Sequence, residues 1–250
     1  MFGPHVLIRD RLLVAAPFFS QKKSIKSASR WTLRLGLLML VVLIVTVTRE
    51  FWSIRIGRSL ICTERLTQSD LIVVENLDQN YLLFERAATL QKEGFAARVL
   101  VPVQVSYESE RAQAVSIGTS ELMARVAQMQ TPEIMPIRAI EPISLNAAYK
   151  VRDFLTKEHL KSLIVVVPAF RSMRLSLIYQ AVMAPAHITV SCIPVFLGAT
   201  PKNWPQTWHG MQEVTEQFLK LQFYRFYVLL KPLSAGTAGT QQASTHDNTG

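Results

Sequence analysis

Ser162-Leu-Ile-Val-Val-Val167 is an unbroken apolar run rich in β-branched residues, closed by Pro168. A strand with one wet face alternates apolar and polar residues; this one does not, so it is expected to be covered on both faces, as in a parallel sheet between helices. Leu71 to Val74, Arg98 to Val103, Glu133 to Ile137 and Ile188 to Val195 supply four more short β-rich runs. Between them lie helical stripes: Leu83, Ala87 and Leu90; Leu145, Ala148, Val151 and Leu155; Leu175, Ile178, Tyr179 and Val182. Glu110 to Met129 also reads as helix, with Gly118 as its weak point, and Trp208 to Tyr227 as a long final helix with a Glu216–Lys220 pair at i,i+4. Strands alternating with helices predict one α/β domain over residues 60–232, a three-layer sandwich with a mostly parallel sheet of about five strands. Residues 233–250, rich in Ser, Thr, Gly, Ala and Gln, read as a disordered tail.

Upstream, Trp31 to Trp52 contains an uncharged run from Leu35 to Thr48 flanked by Arg34 and Arg49. Arg34 can snorkel, and Trp31, Phe51 and Trp52 suit the headgroup layers, so residues 31–52 have the length of a transmembrane helix. No small-x-small cleavage pattern follows it. An uncleaved signal anchor is therefore favoured over a cleaved signal peptide or a buried core helix. Lys22, Lys23, Lys26, Arg30 and Arg34 precede the span and only Arg49, Arg55 and Arg58 follow closely, which puts residues 1–30 inside as a basic cytoplasmic leader and the domain outside. Val6 to Phe19 is too short to span and is assigned no function.

Of the formal charge of +9, +7 lies in residues 1–49 and +2 in the rest. Residues 1–49 hold eight Lys/Arg against Asp10, and residues 50–250 hold 19 against 17. No basic stripe with interleaved aromatics marks the domain, so nucleic acid is not expected as a partner; the membrane is. Cys62 and Cys192 are too few and too far apart for a zinc site or a CxxC pair, and no metal is expected. An oxidising periplasm would allow them to pair, but the favoured reading is two separately buried small residues, because nothing in the sequence places them together.

Ligands of open α/β sheets bind outside the carboxyl ends of the strands, so the residues just after each strand are the candidates. These are Glu75, Asn76 and Asp78; Glu141, Ser144 and Asn146; and Arg171 and Arg174. The arginines are the sharpest signal. They stand one turn apart where a helix begins, an end whose dipole does not favour cations, and two forks there suggest a phosphate or carboxylate. The competing account pairs one with Glu141 or Glu75 and sends the other to solvent. Ser144, Asn146 and Glu141 equally suit a helix start; Glu75 and Asp78 better suit a turn, His209 a structural position, and Phe218, Phe223, Tyr224, Phe226 and Tyr227 a core. There is no G-x-G pair, Walker loop, G-x-S-x-G elbow or H-E-x-x-H, which removes support for dehydrogenase, NTPase, serine hydrolase and zinc protease chemistry.

An N-terminal anchor, Asp70-Leu-Ile-Val-Val74, Phe84-Glu-Arg-Ala-Ala88 leading to Glu93-Gly94-Phe95-Ala96, Glu141-x-x-Ser144-x-Asn146-Ala147 and Val165-Val-Val-Pro-Ala-Phe-Arg171-x-x-Arg174 occur in that order. Together with Trp208 and Glu216-x-x-x-Lys220-x-x-x-Tyr224, they resemble the SanA/ElyC/YdcF-like family over residues 68–228. The resemblance implies a Rossmann-like domain on the periplasmic side of the bacterial inner membrane. It also implies a role in cell-envelope polysaccharide or peptidoglycan homeostasis, with no settled reaction; the cofactor is unknown. The chain departs from the family's pattern at Glu75-Asn76-Leu77, where a glycine-rich turn is usual, and at Phe170-Arg171, where a histidine is usual; Asn146 and Arg174 match it best. The expectation is a crevice that grips a phosphate-bearing small molecule or lipid-linked glycan precursor. Arg171 and Arg174 would take the phosphate, and Glu75, Asp78 and Glu141 its hydroxyls or acid/base steps. The alternative is a non-catalytic scaffold of a polysaccharide assembly complex.

Overall fold

The computed structural model describes residues 25–63, 66–105 and 110–229. The expected tail, most of the leader and the Val6 to Phe19 stretch lie outside them. The chain divides into two units, Met1–Arg49 and Glu50–Gly250. Helix α1 (Ile25–Ser59) is longer at both ends than the span read from the sequence. Its stretch Trp31–Ser59 is long and apolar enough to cross a membrane, and none of its most apolar window is buried, which removes the core-helix alternative.

In the second unit the elements alternate as expected: β1 (Leu71–Val74), α2 (Tyr81–Lys92), β2 (Arg98–Val105), α3 (Glu110–Val126), β3 (Glu133–Arg138), α4 (Ile143–Lys157), β4 (Ser162–Pro168), α5 (Ser172–Met183), β5 (Thr189–Val195) and α6 (Trp208–Phe223). Helix α3 runs through Gly118 without a break; a lone helical glycine costs only about 1 kcal/mol. All strand pairings are parallel, in the order β3-β2-β1-β4-β5. This is the Rossmann-like α/β arrangement, in which the winding reverses between β1 and β4 and opens a crevice at their carboxyl ends.

The pleat divides the core. Leu71, Val73, Leu163, Val165 and Val167 pack under α4 and α5, whereas Ile72, Val74, Ile164 and Val166 pack under α2 and α3. This is why the strands read as continuous apolar runs: both side-chain sets are buried. Asp70 pins the start of β1 to the start of β4, its carboxylate accepting from Lys161 N (2.8 Å), Ser162 N (2.9 Å) and Ser162 Oγ (2.8 Å). A smaller cluster of Leu60, Phe170, Val214 and Leu221 fixes α6 against the start of α5. Thr207 Oγ1 caps α6 by accepting from Gly210 N (3.1 Å), and Gly210 is required there because a Cβ would collide with the Trp204 carbonyl oxygen.

Cys62 and Cys192 form a disulfide, with Cα atoms 6.4 Å apart, across a sequence separation of 130. This corrects the expectation of two separate buried thiols. The pairing arises because the segment leaving α1 is laid along the start of α5, next to β5, a proximity created wholly by tertiary packing. Both cysteines touch Ser172, whose hydroxyl accepts from Cys62 N (2.9 Å) and whose carbonyl lies 3.7 Å from Cys192 Sγ.

Candidate functional site

Pro168 ends β4, and residues Ala169–Arg171 make a single tight 3-10 turn before α5 begins at Ser172. Ser172 Oγ donates back to Ala169 O (2.6 Å), and Met173 N donates to Leu60 O (2.9 Å). The turn that carries Arg171, and the first turn of α5 that carries Arg174, are thus held by the sheet on one side and the Leu60–Cys62 segment on the other. Both arginines reach a crevice of about 280 Å³ at the carboxyl ends of β1 and β4, where the winding reverses.

Six of the eight residues expected from the sequence line this crevice: Glu75, Asp78, Glu141, Ser144, Arg171 and Arg174. The other two do not. Asn76, 1% exposed, follows β1 on the side of α3 and donates to Ser120 Oγ (2.8 Å). Asn146 donates to Ile140 O (2.7 Å) and clamps the turn before α4. Glu141 shares in that turn by accepting from Ile143 N (3.3 Å). His209 is exposed and outside the lining. Leu77, Pro142 and Ile143, Gln104 of β2, Lys220 and Phe223 of α6 and Tyr224 just after it complete the wall, and none of these was expected as a site residue. Lys220 read as half of a surface pair, which it also is (Nζ to Glu216 Oε1, 2.5 Å), and Tyr224 as a core aromatic, which at 6% exposure it also is.

The two arginines differ. Arg171 forms an ion pair with Asp78, whose side chain is 71% exposed. Such a pair is weakly held, so Arg171 is available to a competing anion. Burial pulls its pKa down, but Glu75 and Asp78 outweigh that and hold it above the ordinary value. Arg174 is 7% exposed. It donates through Nη1 to Ser144 Oγ (3.2 Å) and through Nη2 to Gln217 Oε1 (3.3 Å), and lies 5.3 Å from the centroid of the Tyr224 ring. All these partners are uncharged. Burial lowers its pKa, offset in part by Glu75 and Tyr224. The Nε–H of each arginine is buried with no partner among the described residues.

Glu75, 4% exposed, is the acid at the base of the crevice, and its Oε2 likewise has no partner among the described residues. Burial drives its pKa upward, against the opposing pull of Arg171 and Arg174. A carboxyl group with a raised folded-state pKa contributes stability below its unfolded value that is lost as the pH climbs through the folded one. The protein is therefore expected to lose stability from about pH 4.5 upward through this group, and Glu75→Gln to flatten that part of the profile. Thermal unfolding of the full chain in lipid nanodiscs across pH 4–8 reads this out; identical profiles for the two proteins would contradict a buried, reluctantly charged Glu75.

No family model matches the chain, and neither does any curated protein. Among solved structures it is similar to a U34-tRNA thiolase, NcsA from Methanococcus maripaludis with its [4Fe-4S] cluster, at 8% identity and a TM-score of 0.36. That match covers 68% of this chain and 64% of the other. So remote a likeness carries no argument about function. No cluster of three or more His, Cys, Asp or Glu suited to a metal occurs among the described residues.

Proposed function

We propose that this chain is a single-pass, membrane-anchored protein of the bacterial cell envelope, related to the SanA/ElyC/YdcF-like proteins. Its crevice binds a phosphate-bearing ligand in the service of envelope polysaccharide or peptidoglycan homeostasis. One observation carries the ligand class: Arg174 is a buried cation whose hydrogen-bond partners among the described residues are all neutral. A buried charge without an opposite charge in contact is costly, and an anion entering beside it gains charge-assisted bonds from two guanidinium forks. Glu75 makes no ion pair with Arg174 among the described residues, and burial pushes its pKa upward against the pull of the two arginines. The crevice's place at the reversal of strand order supports the same reading.

The Cys62–Cys192 disulfide supports an extracytoplasmic domain, since such bonds persist in oxidising compartments. It agrees with the orientation inferred from the Lys/Arg bias around the span. The second reading, a non-catalytic scaffold, draws on the apolar outer face of α6, where Trp208 and Leu219 are exposed. Calorimetric titration of the full chain in phosphatidylcholine nanodiscs with methyl phosphate, a sugar phosphate and a nucleotide decides between them. Saturable binding of at least one is expected; no binding by a folded protein would transfer the argument to the scaffold.

A further inference from the structure

Helix α6 is apolar on its inner side and, at its C-terminal end, on its outer side as well. The inner side buries Val214 and Leu221 in the domain. Toward its C-terminal end the other side shows solvent Phe218, Leu219 and Phe223, and this patch continues through Phe226 and Tyr227 in the π-helical turn Tyr224–Val228, while Gln212, Thr215 and Glu216 separate it from exposed Trp208 and Met211. The outer face of a surface helix is ordinarily charged or polar. These aromatics therefore depart from the core role expected of them: Phe223 is 53% exposed, Phe226 66% and Tyr227 65%.

The outer face begins at the crevice. Phe223 lines it beside Lys220 and Tyr224. Its ring stacks on Tyr227 at 5.7 Å and 11°, and meets Tyr224 edge-on at 5.9 Å and 83°. Tyr224 in turn lies against Arg174. A continuous track of side chains thus leads from the buried cation, past Tyr224 and Phe223, to an exposed surface made of Tyr227, Phe226 and Leu219. Building on the anion-binding reading above, we infer that the ligand is an amphiphile: a phosphate monoester whose head is gripped by Arg174 and Arg171 and whose hydrocarbon chain leaves over Phe223 and Tyr227 to lie on the outer face of α6. Continuity with the charged crevice is what selects this occupant over a second protein, which would cover the face without entering the crevice. A bilayer, which α1 is fitted to enter, is a reservoir of such molecules.

The test uses the full chain in phosphatidylcholine nanodiscs, with empty nanodiscs subtracted, and compares methyl phosphate, octyl phosphate and glucose 1-phosphate. Octyl phosphate is expected to bind about 100-fold tighter than methyl phosphate, the gain from half-burying the added methylenes. In Phe226→Ser/Tyr227→Ser, checked for folding by thermal unfolding, the octyl-to-methyl ratio is expected to fall about tenfold. A wild-type ratio near one would overturn the amphiphile while leaving the phosphate site standing, and so would glucose 1-phosphate matching octyl phosphate. A large ratio unchanged in the variant would place the tail elsewhere and overturn the track. Failure of every phosphate to bind would remove the site itself. If the inference holds, farnesyl phosphate against dioctanoyl phosphatidic acid separates an isoprenoid from a diacyl source.

Discussion

Breaking the Cys62–Cys192 bond, by reduction or by Cys62→Ser/Cys192→Ser, is expected to lower the stability of the protein by about 4–5 kcal/mol. The bond closes a loop with a sequence separation of 130, and a loop of that size removes much conformational freedom from the unfolded chain. For a unit of this size the loss corresponds to a fall in melting temperature of about 10–15 °C, measured on the full chain in nanodiscs with and without reductant. The effect is also local. Cys62 N and Cys192 Sγ both contact Ser172, which stands between the two arginines of the crevice. Phosphate affinity is therefore expected to weaken on reduction at temperatures well below melting. A drop of less than about 3 °C would show that the disulfide adds little to packing already in place.

Arg174→Met is expected to abolish phosphate binding, by at least about 100-fold or roughly 3 kcal/mol, while changing stability by no more than about 1 kcal/mol. The first effect follows from removing the buried fork. The second follows because a desolvated cation adds little net stability, and methionine fills a similar volume; Ser144 and Gln217 lose a donor, which limits any gain. Arg174→Lys keeps the charge without the fork and is expected to bind at an intermediate level. The informative result is the split between the two readouts. A variant that loses several kcal/mol of stability along with binding would mark Arg174 as a core clamp instead of a ligand group.

The strands were legible because each feature is local. Ser162–Pro168 must be apolar throughout to sit between two helical layers, and that demand is written in consecutive residues. The half of the crevice built by strand ends was legible for the same reason: Glu75, Asp78 and Arg171 lie within a few residues of β1 or β4. What stayed hidden depends on distant parts of the chain. Gln217 reaches Arg174 across 43 positions, and the disulfide joins segments 130 apart; no spacing rule encodes either. Asn76 and Asn146 fall outside the lining for different reasons: Asn146 serves its own turn, as a short amide beside a helix end readily does, whereas Asn76 is drawn to Ser120 on α3, 44 positions away. Tyr224 was hard to place because it is both core and site: its ring is buried, yet its edge forms the crevice wall.

The disulfide divides the crevice wall into two covalent classes. Every lining residue from Glu75 to Arg174 lies inside the ring closed between Cys62 and Cys192, whereas Lys220, Phe223 and Tyr224 are supplied by a strand of chain that leaves the ring and comes back over it. A single backbone cut within the ring leaves its two pieces tied together. A single cut between β5 and α6 leaves the lysine and aromatics of the wall held by noncovalent packing alone, while the arginines stay covalently joined to α1.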